Sequence, residues 1–173
     1  MASIGHIAVG MAAGRLYMGQ ERGVRWLATM MFRFSVVSML PDADVVGMAL
    51  GIPYGAPLGH RGASHSIVFA IAAGLACGGG AWMARAPATK VAIFATLVLL
   101  THGLLDALTD GGLGIAHFWP FSNARHFFTW TPIPVAPIGG GFLSREGLRV
   151  ATHELLYFSP LFLYALFPRR RAS

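Results

Sequence analysis

His6, Asp42, Asp44, His60, His65, His102 and Asp106 stand in an otherwise apolar chain and offer the side chains of a metal centre. They are nitrogen and oxygen donors with no thiolate among them. Such a set favours zinc, manganese or iron(II), whereas magnesium and calcium sites are normally dominated by oxygen. One tetrahedral zinc takes four ligands, so the set either includes outer partners of a single ion or holds two ions. In the second case an aspartate bridging the ions, a role open to Asp42 or Asp44, gives an arrangement suited to phosphoester hydrolysis. The ions activate water and clamp the leaving oxygen.

Each motif also has a local explanation. His102 and Asp106 in "THGLLDALTDGG" lie four apart on one helical face, where a hydrogen bond closing the helix end would account for them equally well. "PDAD" at 41–44 reads as a turn after a helix. "SHS" at Ser64 to Ser66 reads as a helix N-cap. A lone His6 on an apolar helix is usually a hydrogen-bonded core residue. Cost decides between the readings: ionisable groups at membrane depth are expensive and normally face a polar, functional interior. One site built from several elements explains them together.

The elements that must position these groups are hydrophobic. The 173 residues are 55% hydrophobic and 12% charged, with a mean hydropathy of +0.59, which points to an integral membrane protein. The formal charge of +6 is spread between apolar blocks and forms no continuous stripe, which argues against a nucleic-acid partner. The single cysteine, Cys77, excludes an internal disulfide and a cysteine-rich metal site. The start, "MASIGHIAVGMAAGRLY", lacks the features of a cleaved signal and reads as a membrane helix.

Apolar segments at 4–18, 24–40, 64–84, 88–108 and 150–167 have lengths near that of a bilayer span. Between the last two lies a long Pro- and Gly-rich connection, 109–149. Alternating the spans puts Arg15, Arg22, Arg25, Arg85, Lys90 and Arg169 to Arg171 on one face, with Glu21. Arg61, Arg125, Arg145 and Arg149 fall on the other. The positive-inside rule makes the first face cytoplasmic and sets the N-terminus and the His/Asp residues outside.

Arg61 and Arg125, the latter with Asn123, could present guanidinium forks to a phosphate; carbonyl-bound loop arginines are the alternative. Phe118, Trp119, Phe121, Phe127 and Phe128 would anchor the long loop at the membrane interface, where they could also guide a lipid. His117, His126 and His153 lack a partner pattern and read as structural. Arg33, in mid-span, should pair inside the bundle or snorkel to an interface.

"GHIAVG", "LPDAD", "HRGASHS", "THGLLDALTDGG" and "FWPFSNARHFF", in that order, resemble the YdjM-like family of bacterial inner-membrane proteins. The resemblance covers about 4 to 128. Such proteins are described, by inference, as metal-dependent hydrolases, and some are linked to the LexA-controlled damage response. The resemblance implies that His6, Asp42, Asp44, His60, His65, His102 and Asp106 match the family's polar positions.

The sequence therefore predicts an all-α, polytopic membrane bundle of about five transmembrane helices, a single domain over 1–173 with 109–149 as an extracytoplasmic loop. Its outer end would carry a hydrolytic centre with one or two divalent ions, zinc before manganese or iron. His6, His65, His102, Asp42 and Asp106 are the expected ligands. Asp44 and His60 would complete the coordination or accept the proton of the attacking water. The expected substrate is a phosphoester at the membrane surface, such as a phospholipid or polyprenyl phosphate. One rival is a metal-ion or proton transporter, disfavoured because spans three and four carry almost no polar residues below the outer end. Another is a non-catalytic membrane protein held together by a fully enclosed ion.

Overall fold

The computed structural model describes residues 3–19 and 23–167. Glu21, Arg22 and Arg169 to Arg171, used above to orient the chain, lie outside them. Among the described residues seven α-helices follow one another: α1 (Ser3–Met18), α2 (Val24–Met39), α3 (Val45–Ala49), α4 (Ile67–Met83), α5 (Ala88–Ala107), α6 (Arg145–Tyr157) and α7 (Ser159–Leu166). Short 3-10 turns at Pro41–Asp44, Ala63–His65 and Gly139–Leu143 join them. The described residues form no strand, only isolated bridges pairing Thr109 with Ile133 and Ile115 with His126.

Two helix pairs make the frame, α1 with α2 and α4 with α5. Each owes its close approach to glycines one turn apart. A Cβ on Gly10 or Gly14 would strike the α2 backbone at Ser35 and Met31, and one on Gly74 or Gly78 would strike Thr96 and Ala92 of α5. Small residues at four-residue spacing let helix backbones meet, the packing mode favoured in lipid. Ala13, Phe34, Ala95 and Val98 fill the space where the pairs join, with Tyr17 and Phe94 against them.

Many large apolar side chains point outward, among them Phe32, Val36, Leu75, Trp82 and Leu97. That is the surface expected where lipid replaces water. By length and composition α5 is long and apolar enough to cross a membrane; α4 is apolar but shorter.

The expected fifth span, 150–167, is not one helix. It breaks after Tyr157, and Pro160 sits at the start of α7. Proline lacks the N–H that a continuing helix needs, and its ring collides with the preceding turn. Upstream of the break, α6 is amphipathic: Ser144 caps it by accepting from the Gly147 N–H, and Glu146 and Arg149 pair on its exposed side.

Arg15 also departs from expectation. It is buried in the last turn of α1, donates to the Ala165 carbonyl at 2.8 Å and lies over the Tyr164 ring. Arg33 is exposed on α2 beside an apolar groove lined by Tyr17, Phe34 and Cys77. The connection from 109 to the start of α6 folds back over one end of the frame. Ile115 and His126 exchange backbone hydrogen bonds, Phe128 donates to Ala107, and Ala116 donates to Arg61.

Candidate metal centre

One end of the frame gathers polar groups from four helices and the turns at their ends. His6 is in the first turns of α1, and Asp42 and Asp44 follow the end of α2. His65 closes the turn before α4, and His102 and Asp106 are in the last two turns of α5. Pro41 ends α2 and opens the 3-10 turn that buries Asp42. Ser66 caps α4 through the Phe69 N–H, as its position suggested. Ser64 instead bonds Asp44 and His65.

The structure brings all of the singled-out histidines and aspartates together, but in two layers. The inner layer is Asp42, His65, His102 and Asp106, each offering one donor atom within 4.8 Å of the others. His102 Nε2 lies 3.1 Å from His65 Nε2 and 3.5 Å from Asp42 Oδ1. His65 Nε2 lies 3.6 Å from Asp42 Oδ1 and 3.5 Å from Asp106 Oδ2. Ligand atoms about 2.0–2.2 Å from a tetrahedral ion stand about 3.3–3.6 Å from one another, so this spacing fits an ion.

Hydrogen bonding fixes where the imidazole lone pairs point. The Ser38 carbonyl, which can only accept, sits 2.6 Å from His102 Nδ1, so the proton is on Nδ1. Ser64 Oγ gives its proton to Asp44 and therefore accepts from His65 Nδ1, at 3.0 Å. In their neutral forms both rings thus aim Nε2 lone pairs at the carboxylates. Neither oxygen of Asp42 has a hydrogen-bond partner among the described residues. Acceptors facing acceptors in a buried space call for a cation or protons between them.

The outer layer holds the inner one in place. His6 is stacked on His102 with ring centroids 3.7 Å apart, and its Nε2 lies 3.2 Å from Asp106 Oδ1. Asp44 is surrounded by donors: His60 Nδ1 at 2.6 Å, Arg61 N at 3.2 Å, Ser64 Oγ and His65 Nδ1. Arg61 is fully buried, with Nε 3.2 Å from Asp106 Oδ2 and its other nitrogens on the Gly111 carbonyl and Thr109 Oγ1. Asp42, Asp44 and Asp106 against Arg61 give −3 + 1 = −2 among these side chains, the charge a divalent cation would cancel.

The family can now be placed. The sequence profile of the YdjM inner membrane protein family matches residues 1–171. The chain belongs to that family. It is similar to inner membrane protein YbcI of Escherichia coli K12, with 40% identity over 131 residues, 74% of this chain and 75% of that protein. No solved structure matches it. A YdjM-family membrane protein thus carries a buried His/Asp group that could hold a metal ion.

Within this YdjM-family protein several residues sit otherwise than expected. His6 contacts Asp106 from behind and is not one of the four inner donors. Asp44 is likewise outside those four donors. Its own group, with His60 and His65, is a second set of donors close enough for an ion, but hydrogen bonds already join it. Neither arginine presents a fork to a phosphate. Arg61 is consumed as described, and Arg125 donates to the carbonyls of His60, Gly114, Tyr54 and Ala56. The carbonyl-bound alternative is the one observed for Arg125, whereas Arg61 is held by the Asp106 carboxylate, the Thr109 hydroxyl and the Gly111 carbonyl.

Arg61 also has φ of 63°, a left-handed conformation that costs a side-chain-bearing residue roughly 1–2 kcal/mol, which its buried contacts must offset. Thr109, which supports Arg61 and donates to the Asp106 carbonyl, was not anticipated. Its signal was a hydroxyl three residues after Asp106, just beyond the end of α5.

The protonation balance follows from the same contacts. Burial opposes ionisation of Asp42, but the His102 and His65 imidazoles hold its carboxyl well below the usual range. Asp44 is likewise lowered against its burial, by His60 and His65. Burial alone would keep His65 neutral; Asp106, Asp42 and Asp44 override it and push the imidazole up to about 10. In the metal-free protein a proton on His65 therefore does what a cation would do.

Proposed function

We propose that this protein is a multi-pass, metal-dependent hydrolase of the inner membrane, with one divalent ion, zinc first, held by Asp42, His65, His102 and Asp106. The single observation that carries the reading is the convergence of those four buried donor atoms at ligand spacing. One ion is favoured over two because His65 has one lone pair to give, and its Nδ1 proton is committed to Ser64 and Asp44. The start of α1, the end of α2, the turn before α4 and the end of α5 meet at this centre. That arrangement supports helices alternating across the bilayer, with the centre at the extracytoplasmic side.

A bound ion of this kind polarises a phosphoryl oxygen and makes water a better nucleophile. The chain's own residues supply the proton acceptor. Asp44 holds the His60 Nδ1 proton at 2.6 Å, and His60 Nε2 is buried with no partner among the described residues, an imidazole oriented by a carboxylate. The exposed Phe118, Phe121, Phe127, Phe128 and Trp130 of the covering loop give a surface suited to the membrane interface. They support a lipid-linked phosphoester as substrate.

A second reading, an enclosed structural ion, is favoured by one fact: Asp42, His65, His102 and Asp106 are at most 4% exposed. Zinc content and phosphodiester or phosphomonoester hydrolysis, measured on the purified protein with lipid and polyprenyl phosphates, separate the two. The hydrolase reading predicts turnover that His60→Ala lowers about 10²–10⁴-fold while zinc is retained. Zinc without turnover in wild type would leave the structural ion.

A further inference from the structure

We infer that Glu154 is a positioning residue of this centre: its carboxylate holds the first turn of α1 and thereby aims His6 at Asp106. The inference rests on the metal reading above. Glu154 is 148 residues from His6 in sequence, yet its side chain is 1% exposed and buried against the start of α1. Its Oε2 accepts from the Ile4 N–H at 2.7 Å and the Gly5 N–H at 3.1 Å. Those N–H groups have no partner within their own helix, and a negative charge at a helix N-terminus is favourable. The Phe158 ring packs directly on Gly5, where any side chain would displace it.

The next residue is His6. It is fully buried, stacked on His102, and set 3.2 Å from Asp106 Oδ1. Its ring position is therefore set by where α1 begins, and α6 sets that beginning. A second clasp, Arg15 to the Ala165 carbonyl, ties the other end of α1 to α7 far from the centre. The C-terminal helices donate no inner ligand, yet they fix one outer partner of Asp106.

The test titrates Zn²⁺ against a competing chelator with the full-length protein in detergent, for Glu154→Ala, Glu154→Gln and Arg15→Gln, with and without His6→Ala. Removing a partner that orients a metal ligand typically costs 10–100-fold in affinity, so Glu154→Ala should weaken zinc about tenfold. Glu154→Gln should keep wild-type affinity, because its amide oxygen accepts the same two N–H groups. Arg15→Gln should lower the melting temperature and leave zinc affinity unchanged. In the His6→Ala background, Glu154→Ala should cost nothing further.

Diethylpyrocarbonate labelling of His6 in metal-free protein gives a readout independent of zinc: it should rise in Glu154→Ala and not in Arg15→Gln. Additive losses with His6→Ala, or unchanged His6 labelling, would overturn the inference. Absence of zinc binding in wild type would overturn the metal reading instead, and the labelling would still decide whether Glu154 positions His6.

Discussion

The two layers of the polar cluster use the same residue types and behave in opposite ways. In the outer layer, Asp44 meets His60, Ser64 and His65 donor to acceptor, and both oxygens of its carboxylate have protein donors. In the inner layer, Asp42, His65, His102 and Asp106 turn acceptors toward one another. A buried network satisfied internally stabilises and orients. One that faces acceptor to acceptor needs something bound. The contrast lies in which nitrogen of each imidazole carries the proton, and the Ser38 carbonyl and Ser64 hydroxyl decide that.

The comparison breaks most sharply by removing an inner donor. His102→Ala or Asp42→Ala should abolish stoichiometric zinc binding, a loss of more than about 100-fold in affinity, since a four-ligand site loses a bond outright. Chelator competition measures it, and a loss under tenfold would erase the distinction between layers. Asp44→Asn, in the outer layer, should retain zinc with affinity lowered about 10–100-fold. Total loss of the ion there would make Asp44 a ligand and revive the bridging role considered from sequence.

A third prediction concerns pH. The His65 pKa is raised from 6.5 to about 10 in the metal-free fold. The stability this lends is complete below about 6.5 and is lost as pH rises through about 10. An ion must displace that proton, so zinc affinity should rise about tenfold per pH unit over roughly pH 6.5–8.5. Titrations at three pH values check the slope, and a flat profile would mean that His65 does not surrender a proton to the ion. The smallest effect belongs to Arg125, bound to carbonyls away from the inner donors. Arg125→Gln should cost about 1–3 kcal/mol of stability in a denaturation series and leave zinc affinity unchanged.

Much of this was legible in sequence for a simple reason. Histidines and aspartates are costly in an apolar chain, so His6, Asp42, Asp44, His60, His65, His102 and Asp106 stood out by type alone. The four helices that carry or flank them were readable from hydrophobic runs. Their division into layers was not, because it depends on a backbone carbonyl at Ser38 that leaves no mark on side-chain identity. Arg61 and Arg125 misled because a loop that folds back and wraps them is a long-range event. The break at Tyr157 was visible in principle, through Pro160. Glu154 was an ionisable residue inside an expected span, a signal of the same kind as Asp106, and its partner at Ile4 lies across nearly the whole chain.

The most direct test of the central claim is the count of metal ions per chain in purified wild-type protein by elemental analysis, repeated for Asp44→Asn and Asp42→Ala. The account predicts one divalent ion in wild type, one in Asp44→Asn after saturation, and none in Asp42→Ala. A folded wild type that holds no metal even after reconstitution would contradict it, and the inner layer would then be a proton-filled hydrogen-bond network at the end of a membrane bundle.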